Sequence, residues 1–510
     1  MNKPVAIFFQ IEPGQKIVGE GIAQYTDRVI SGFCELNQPV EIYAPIWAES
    51  QIKDFLKWTG HPKSLVRAKI CGSPIIGLLF SLRKRSRKAD HDTLLFSDPK
   101  YAPKDLADIL IEKRGYTILL GALSPLILLL SPVFLPFLLA LLVSRKLFVG
   151  RLGRLFRAFL GLSKFITYAG MAAAIDRRAN ACFVPIGSWT MCRLIKKAPV
   201  VVQIPDIVWA DFPQHFPPGP EISKSVSEIR KVASHANAVT CPSHYVRRHH
   251  LINLLGVPEE KAKVCFHGPM TLSLKTPSGS DEEPTKAQAR EILQSAITRA
   301  LDADDGSYAR RIDYDMQREV VLRTFSADAR PIIYYPTQNR PYKNFETVFA
   351  ALHELKTLHS KNVRVMLTAD LSLTPKLMQE IKRLELINNV ILLPRLPQYL
   401  HAMAYIASDI ALSASYFEGG FTFNFSEALS VGRPCIASDI AASREIVPPD
   451  LATITLFKTD SGSHLANSIN FALRNIEQVL QKQLDFQLKR SFDRTWKDVA
   501  RDYMSYSRRI

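Results

Sequence analysis

The sequence predicts an α/β protein with two domains, each built on a doubly wound parallel sheet. Two sets of short apolar segments support this prediction, the first within residues 5–266 and the second within 332–457. Their hydrophobicity is continuous rather than alternating, which is typical of strands covered by helices on both faces. A polar, charged stretch at 271–330 separates the two sets. The chain is 510 residues long and 47% hydrophobic, enough for two or three folded domains.

The first domain is predicted over residues 1–270, with an insertion at 71–170. The amino-terminal apolar run is interpreted as a first strand rather than as a cleavable signal. Helical segments fall between several of the predicted strands. The strands are expected at residues 5–10, 40–44, 181–185, 200–204, 238–241 and 264–266.

An uncharged stretch of 30 residues at 115–144 interrupts this domain. It exceeds the roughly 20 residues that cross a bilayer, but Pro125, Pro132 and Pro136 would break one continuous helix. Basic clusters flank it at 83–88 and 145–157, and positive charge favours the cytoplasmic side. We therefore expect a re-entrant or monotopic hairpin on the inner leaflet. The alternative is a buried helical pair in a soluble core.

The second domain is predicted over residues 331–465. A polar linker or insertion at 271–330, with a helix at 287–303, precedes it, and basic helices at 466–510 follow it. Ligands of such sheets bind beyond the carboxyl ends of the strands. The strands are expected at residues 332–335, 363–367, 390–393, 410–413, 434–437 and 454–457.

The segment 416–438, YFEGGFTFNFSEALSVGRPCIAS, follows one of these strands. Gly419 and Gly420 lack Cβ atoms and let the backbone approach a ligand, and a helix predicted at 425–431 offers free N–H groups, so the turn suits a phosphate. The acids Glu418 and Glu427 suit sugar and ribose hydroxyls beside that anion. The alternative interpretation is an ordinary βα turn with solvated glutamates.

A second turn carries two cations. Arg340 and Lys343 lie between the strand at 332–336 and a helix that begins near Asn344. Guanidinium and ammonium groups bind pyrophosphate oxygens through strong, charge-assisted hydrogen bonds. Either residue alone could be a solvated surface residue, but the order of strand, cations and helix, repeated with glycines at 419–420, favours an anion site.

At these residues the chain resembles the retaining nucleotide-sugar glycosyltransferases of group 1, also called family 4, which have the two-domain GT-B fold. The resemblance covers most of the chain outside 71–170 and 271–328, and implies that the last helix crosses back to the first domain. The matching residues are Gly19 and Gly21, Arg340 and Lys343, and then Glu418, Gly419, Phe421, Glu427, Ala428, Gly432 and Pro434.

The chain departs from the family pattern at two points. Eight residues rather than seven separate the two glutamates, so an extra residue near Gly420 must bulge from the loop. The family's first-domain histidine is also missing, and Asp206, Ser188 or Trp189 could replace it by position. Five histidines of the first domain are catalytic candidates but are expected to be structural: His215, His244, His249, His250 and His267.

The net charge and the cysteine content indicate which ligands and which cellular compartment to expect. The net charge is +17, which attracts anions in general but does not by itself choose among nucleotide sugars, lipid head groups and nucleic acid. The seven cysteines include no CxxC pair, so neither a zinc site nor a disulfide framework is expected, and a reducing compartment is favoured.

The resemblance implies a retaining hexosyltransferase that uses a GDP- or UDP-linked sugar. Arg340 and Lys343, with backbone N–H groups of Gly420 to Thr422 including Phe421, would stabilise the diphosphate, Glu427 would bind the ribose, and Glu418 the donor sugar. A hairpin on the acceptor side favours a lipid-linked glycan at the cytoplasmic face of the inner membrane.

Neither a cofactor nor a nucleic-acid partner is expected. No obligatory metal is expected either, because the acidic pairs Asp304-Asp305 and Asp313-x-Asp315 fall in the polar linker. Two alternatives remain. One is a membrane-bound scaffold subunit with an inactive transferase fold, and the other is a nucleotide-sugar epimerase.

Overall fold

The computed structural model describes residues 3–13, 15, 21–74, 76–77, 151–216, 220–272, 274, 283–302, 324–371, 374–393 and 396–508. The predicted hairpin at 115–144 and Gly19 lie outside these residues.

The first domain contains a seven-stranded parallel sheet with the order β3-β2-β1-β4-β5-β6-β7. One strand, β3, was not predicted, because it is a sheet-edge strand whose residues are mostly only half-buried. The last strand ends two residues earlier than predicted. The strands are β1 Val5–Phe8, β2 Val40–Pro45, β3 Val66–Cys71, β4 Ala181–Val184, β5 Val200–Gln203, β6 Ala238–Cys241 and β7 Ala262–Val264.

Helices cover both faces of this sheet. A π-helix, Val246–Leu254, follows β6. The α-helices are α1 Gly21–Glu35, α2 Glu49–Thr59, α3 Arg151–Arg178, α4 Val208–Asp211 and α5 Pro220–His235.

The second domain has a six-stranded parallel sheet with the order β10-β9-β8-β11-β12-β13. The predicted α/β class with two parallel sheets is therefore confirmed. The last strand is shorter than predicted, because residues 449–455 form a helix. The strands are β8 Ile332–Tyr335, β9 Arg364–Leu367, β10 Val390–Leu392, β11 Ile410–Ser413, β12 Cys435–Ser438 and β13 Leu456–Phe457.

Ten described helices accompany the second sheet or follow it. They are α6 Lys286–Asp302, α7 Phe345–Thr357, α8 Pro375–Arg383, α9 Gln398–Ala407, α10 Phe423–Leu429, α11 Ala441–Arg444, α12 Pro449–Thr455, α13 Gly462–Arg474, α14 Ile476–Asp493 and α15 Trp496–Arg508.

Helix α3 begins inside the expected insertion at 71–170 but joins the first-domain core. Phe165, Tyr168 and Met171 are buried there, and the Tyr168 ring lies 5.8 Å from that of Trp47. The first domain therefore resumes before residue 165. Within the part of the chain that the structure describes, no helix is both long and apolar enough to span a membrane.

Helix α6 belongs to the second domain, although it lies in the segment predicted as a linker. Ala289, Leu293 and Ile297 are buried in the second core, and Arg290 donates from Nε to the Ala407 carbonyl at the end of α9 at 3.2 Å. The helix itself was predicted at 287–303, but the polar composition of 271–330 concealed that it belongs to the second domain.

The last helix, α15, packs against α1 of the first domain. A Cβ on Gly32 would lie 2.1 Å from the Trp496 carbonyl oxygen, so only glycine permits this approach. Trp496 donates its indole N–H to the Pro269 carbonyl at 2.8 Å. Tyr503 is buried and hydrogen-bonds Tyr25 of α1. The end of the chain is thereby fastened to the first domain.

Candidate functional site

The cation turn follows β8 at the carboxyl edge of the second sheet. Its last residue, Lys343, is followed by Asn344 in the left-handed conformation with φ 60°, which asparagine tolerates better than most residues. The Asn344 amide donates to the Thr459 carbonyl at 2.7 Å, and the Tyr335 hydroxyl donates to the Lys343 carbonyl at 2.8 Å. These bonds fix the backbone of the turn and do not involve the Lys343 side chain.

Lys343 and Glu418 form an ion pair. Lys343 Nζ lies 2.6 Å from Glu418 Oε1 and 3.2 Å from Ser415 Oγ, and the Ser415 hydroxyl lies 2.6 Å from the same carboxylate oxygen. Burial alone would lower the pKa of Lys343, but the charge of Glu418, with Tyr342 and Tyr335, outweighs burial and raises that pKa above its ordinary value. The lysine is therefore a fixed cation. The Tyr416 N–H also donates to the Tyr342 carbonyl at 2.9 Å, joining the two loops.

Asp206 approaches this pair from the first domain, in the turn after β5. A Cβ on Gly419 would lie 3.0 Å from Asp206 Cβ, so the two loops are in contact. Burial raises the pKa of Asp206, and the negative charge of Glu418 raises it further against the opposing effect of Lys343. Two carboxyl groups and one ammonium group thus lie together where the domains meet.

A buried histidine supports the Asp206 loop. His250 Nδ1 accepts the Ile207 N–H at 3.0 Å, so the ring proton lies on Nε2, which is 2.7 Å from Asp211 Oδ2. The Tyr245 hydroxyl donates to Asp211 Oδ1 at 3.0 Å. Sequence reasoning expected His250 to be structural but did not find this network, because its members are 39 residues apart in the chain.

The glycine loop touches the first domain. A Cβ on Gly419 would lie 1.9 Å from the Pro205 carbonyl oxygen, and one on Gly420 would lie 2.7 Å from Pro242 Cβ. The sequence assigned these glycines to the close approach of a ligand. In the structure both glycines also make room for the first domain, and residues 419–421 form a bend.

Phe421 and Thr422 use their side chains structurally. Phe421 is buried, with its ring 5.0 Å from that of Phe425 and the Arg490 guanidinium 5.4 Å from its centroid. The Thr422 hydroxyl accepts the Asn424 N–H at 3.3 Å, and therefore caps α10. Their backbone N–H groups remain the groups predicted to face a phosphate.

Glu427 lies on α10 in a second polar cluster. The Tyr405 hydroxyl donates to Oε2 at 2.9 Å, His401 Nε2 is 3.4 Å from the same atom, and the Tyr334 hydroxyl is 2.8 Å from His401 Nδ1. Burial by itself raises the pKa of Glu427, but His401 and Tyr405 outweigh burial and lower it below the ordinary value. The carboxylate is thus held ionised on the side of β8 opposite Tyr335, since Tyr334 and Tyr335 are consecutive strand residues.

Four other predicted residues do not join the Lys343 pair. Arg340 is half-exposed and donates from Nη2 to Gln338 Oε1 at 3.3 Å. Gly21 begins α1, where a Cβ would meet nothing within 4 Å. Ser188 is exposed, whereas Trp189 is buried with its ring 5.5 Å from Phe9. Of the three candidates to replace the missing histidine, Asp206 contacts the Gly419 position and lies near enough to Glu418 for their charges to interact.

His267 lies beside the glycine loop. Its ring packs against Tyr25 at 4.9 Å and Phe423 at 5.0 Å, and both ring nitrogens are buried without a hydrogen-bond partner among the described residues. Burial, with the charges of Arg490 and Arg494, lowers the pKa of His267 to about 3. The ring is therefore neutral and part of the interdomain packing, 3.4 Å from a Cβ on Gly420.

Metal ligands are not grouped in the described part of the chain, where no three His, Cys, Asp or Glu side chains converge on one point. The acidic pairs of the predicted linker, at 304–305 and 313–315, lie outside that part. Independence from metal therefore stays a prediction.

A polar cavity of about 310 Å³ lies away from this site, at the amino ends of β8, β9 and β10. Asp328 pairs there with Arg330 and with the buried Arg364. Ligands of parallel sheets bind at the opposite edge, so this cavity is an ion-paired structural feature.

The second domain matches a known protein family, and the whole chain is similar to solved structures. The family model described as glycosyl transferases group 1 matches residues 322–484, which span the second sheet, the Lys343 turn and the 418–427 loop. No curated protein matches the sequence.

Solved structures match nearly the whole chain at low identity. HepE of Anabaena, in complex with UDP and glucose, is 14% identical, with 99% of each chain covered and a TM-score of 0.57. Sucrose-phosphate synthase of Thermosynechococcus elongatus is 14% identical, with 99% of this chain and 98% of that chain covered and a TM-score of 0.56. A glycosyltransferase from Rickettsia africae has a TM-score of 0.52 at 13% identity, with 99% and 98% covered. The second domain, over residues 322–484, is therefore similar to the group 1 glycosyltransferases, and the two domains together have the GT-B fold.

Proposed function

We propose that this glycosyltransferase transfers a hexosyl group from a nucleoside diphosphate sugar to a glycan acceptor, with retention of anomeric configuration. The observation that carries the proposal is the convergence of Lys343, Glu418 and Asp206 where the two domains meet. A cation and two carboxyl groups, supplied by both domains at the carboxyl edge of the second sheet, suit a substrate that is anionic at one end and rich in hydroxyls at the other.

Lys343 would stabilise the leaving diphosphate. Negative charge develops on the diphosphate as its bond to the anomeric carbon breaks, and a fixed cation needs little reorganisation to stabilise it. The hydrogen bonds from Ser415 and Lys343 hold the Glu418 carboxylate in place. Once the ammonium group of Lys343 binds the phosphate, Glu418 can accept hydrogen bonds from sugar hydroxyls.

The acceptor hydroxyl would attack the anomeric carbon from the face that the diphosphate leaves. A bond forms between the acceptor oxygen and the anomeric carbon, the bond to the diphosphate oxygen breaks, and the acceptor proton passes to that leaving oxygen. Asp206 is the first-domain group beside Glu418, and it would orient the reacting sugar or the acceptor hydroxyl.

Glu427 would accept hydrogen bonds from the ribose hydroxyls. Both of its described hydrogen bonds reach the Oε2 atom, and they hold the carboxylate ionised. Arg340 is half-exposed at the same turn as Lys343, and would turn toward the diphosphate when the donor binds. The UDP and UDP-glucose bound to HepE make uridine donors the first to test, ahead of GDP-sugars.

The acceptor is proposed to be a lipid-linked glycan, as in the biosynthesis of a surface polysaccharide such as lipopolysaccharide. The uncharged stretch at 115–144, with its basic flanks, supports docking at the cytoplasmic face of the inner membrane. A phase-partition measurement tests this part alone, since release of the intact protein by a salt wash without detergent would contradict insertion.

A scaffold subunit without activity is the second candidate. The absence of the family's first-domain histidine and the additional loop residue favour it. The contact of Gly419 with Pro205 and Asp206, where Asp206 is one of the residues that could replace that histidine by position, favours a catalyst.

The decisive experiment incubates the purified protein with labelled UDP- and GDP-sugars and a polyprenyl-diphosphate glycan extract. We expect labelled glycan from one donor, undiminished by excess EDTA, and lost when Arg340 and Lys343 are both replaced by alanine. UDP binding without transfer from any donor would support the scaffold, and a loss of activity in EDTA that metal restores would contradict metal independence. An epimerised donor formed without acceptor would support the third alternative.

A further inference from the structure

Phe417 of the second domain is inserted into the core of the first. It is 7% exposed, and its ring centroid lies 6.1 Å from Phe212, 6.0 Å from Tyr245 and 5.7 Å from His250. All three of these partners belong to the first domain. An aromatic side chain buries a large apolar area, so this contact stabilises the closed arrangement of the domains.

Glu445 makes a second contact between the domains, just after α11. Its Oε2 accepts the His244 N–H and its Oε1 accepts the Tyr245 N–H, each at 2.7 Å. These two N–H groups precede the π-helix, where backbone donors lack partners within the helix and a negative charge is favoured. Each carboxylate oxygen therefore satisfies one donor of the opposite domain.

Ser243 connects these two contacts. Its hydroxyl donates to the Gly419 carbonyl at 2.6 Å and accepts the Val246 N–H at 3.2 Å. Phe417 and Gly419 are thus both held by the first domain, and Glu418 lies between them. Because consecutive Cα atoms are about 3.8 Å apart, fixing both neighbours fixes the backbone of Glu418.

We propose that Phe417 and Glu445 form an interdomain latch, which closes the two domains and thereby positions Glu418 against Asp206. Neither residue needs to touch the substrate, so both are positioning residues. The contact of Glu445 with the His244 N–H is exposed, so water can replace it as a hydrogen-bond partner. The role in positioning rests on the proposed function, whereas the closure itself does not.

Hydrogen exchange of the full-length protein tests closure without any substrate. In the wild type we expect slow exchange in peptides that contain residues 243–246 and 417–421. Glu445→Ala removes the contact at 243–246, and if it is a latch, exchange must also accelerate at 417–421, which Glu445 does not touch. Glu477→Ala is the matched control, because Glu477 is an exposed glutamate in the first turn of α14. Acceleration confined to 243–246 would overturn the latch and leave a local hydrogen bond.

Kinetics test positioning. We expect Glu445→Ala to lower kcat about tenfold while the donor KM changes less than threefold, because the donor-binding groups of the second domain are untouched. Glu445→Gln keeps one acceptor oxygen and should restore part of the rate. Phe417→Leu should lower kcat less than Phe417→Ala does. If Phe417→Ala fails to fold, Glu445→Ala still tests the proposal.

The two hypotheses fail differently. If no donor supports transfer but exchange accelerates at both segments, the latch stands and the proposed function fails. If transfer is detected but Glu445→Ala changes neither kcat nor the exchange at 417–421, the latch is wrong and the proposed function stands.

Discussion

Replacement of Gly419 by alanine should separate the loop of Glu418 from the loop of Asp206 while leaving both domains folded. The new Cβ would lie 1.9 Å from the Pro205 carbonyl oxygen and 2.9 Å from its carbonyl carbon, whereas real Cβ atoms essentially never come closer than 3.0 Å to such atoms. Both neighbours are backbone and cannot rotate away. The loops must therefore part by about 1 Å, and a displacement of that size at a reacting centre costs roughly 10²-fold in rate, or about 2.7 kcal/mol.

The assay is the initial rate of sugar transfer with whichever UDP- or GDP-sugar supports transfer, together with urea unfolding of each variant. We expect kcat to fall about 10²-fold and the free energy of unfolding to change by less than about 1 kcal/mol, since the strain can be relieved between domains. Gly170→Ala is the control, because Gly170 is exposed on α3 and a Cβ there meets nothing within 4 Å. A Gly419→Ala rate within threefold of the wild type would refute the reasoning.

Three further predictions concern charge and packing. Lys343→Ala should weaken UDP binding at least tenfold by calorimetry. Because folding raises the pKa of Lys343, its charge should stabilise the folded protein fully below the ordinary pKa of 10.5. This stabilisation should be lost only as pH rises through the higher pKa of the folded state. A decline in wild-type stability below pH 10 that the variant lacks would contradict this prediction. Glu427→Gln should flatten the stability profile on the acid side, because the lowered pKa gives a contribution that is present above about 4.5 and lost as pH falls through the folded value; parallel profiles would count against it. Gly32→Ala should destabilise the protein by about 1–3 kcal/mol in urea unfolding through overpacking of α15 against α1, and equal stability to Gly170→Ala would show that α15 shifts freely.

The two parallel sheets were predictable from sequence because buried strands of such sheets are apolar on both faces, as in the runs that became β1 and β8. Strand β3 escaped prediction, since its edge position leaves polar residues such as Arg67 acceptable. Helix α6 was predicted as a helix but was assigned to a linker. Its few apolar residues do not show which surface they cover, and only the structure places them in the second core beside α9.

The cations and carboxylates of the site were predictable by type and by their position after strands. Local pattern placed Lys343 and Glu418 at the carboxyl edge of one sheet, 75 residues apart in the chain, and the structure pairs them directly. The pattern did not separate Lys343 from Arg340, because whether a side chain of a turn points inward depends on the surrounding packing.

By itself, the sequence determined the two α/β domains and the residue types that face their strand ends, because periodicity and turn chemistry are local properties of the chain. Only the tertiary structure decided that Asp206 lies near Glu418, that the glycines at 419 and 420 admit the first domain, and that Phe417 and Glu445 contact the first domain. Those contacts join residues some 200 positions apart or more. They depend on how two independently folded surfaces fit, which no local pattern encodes.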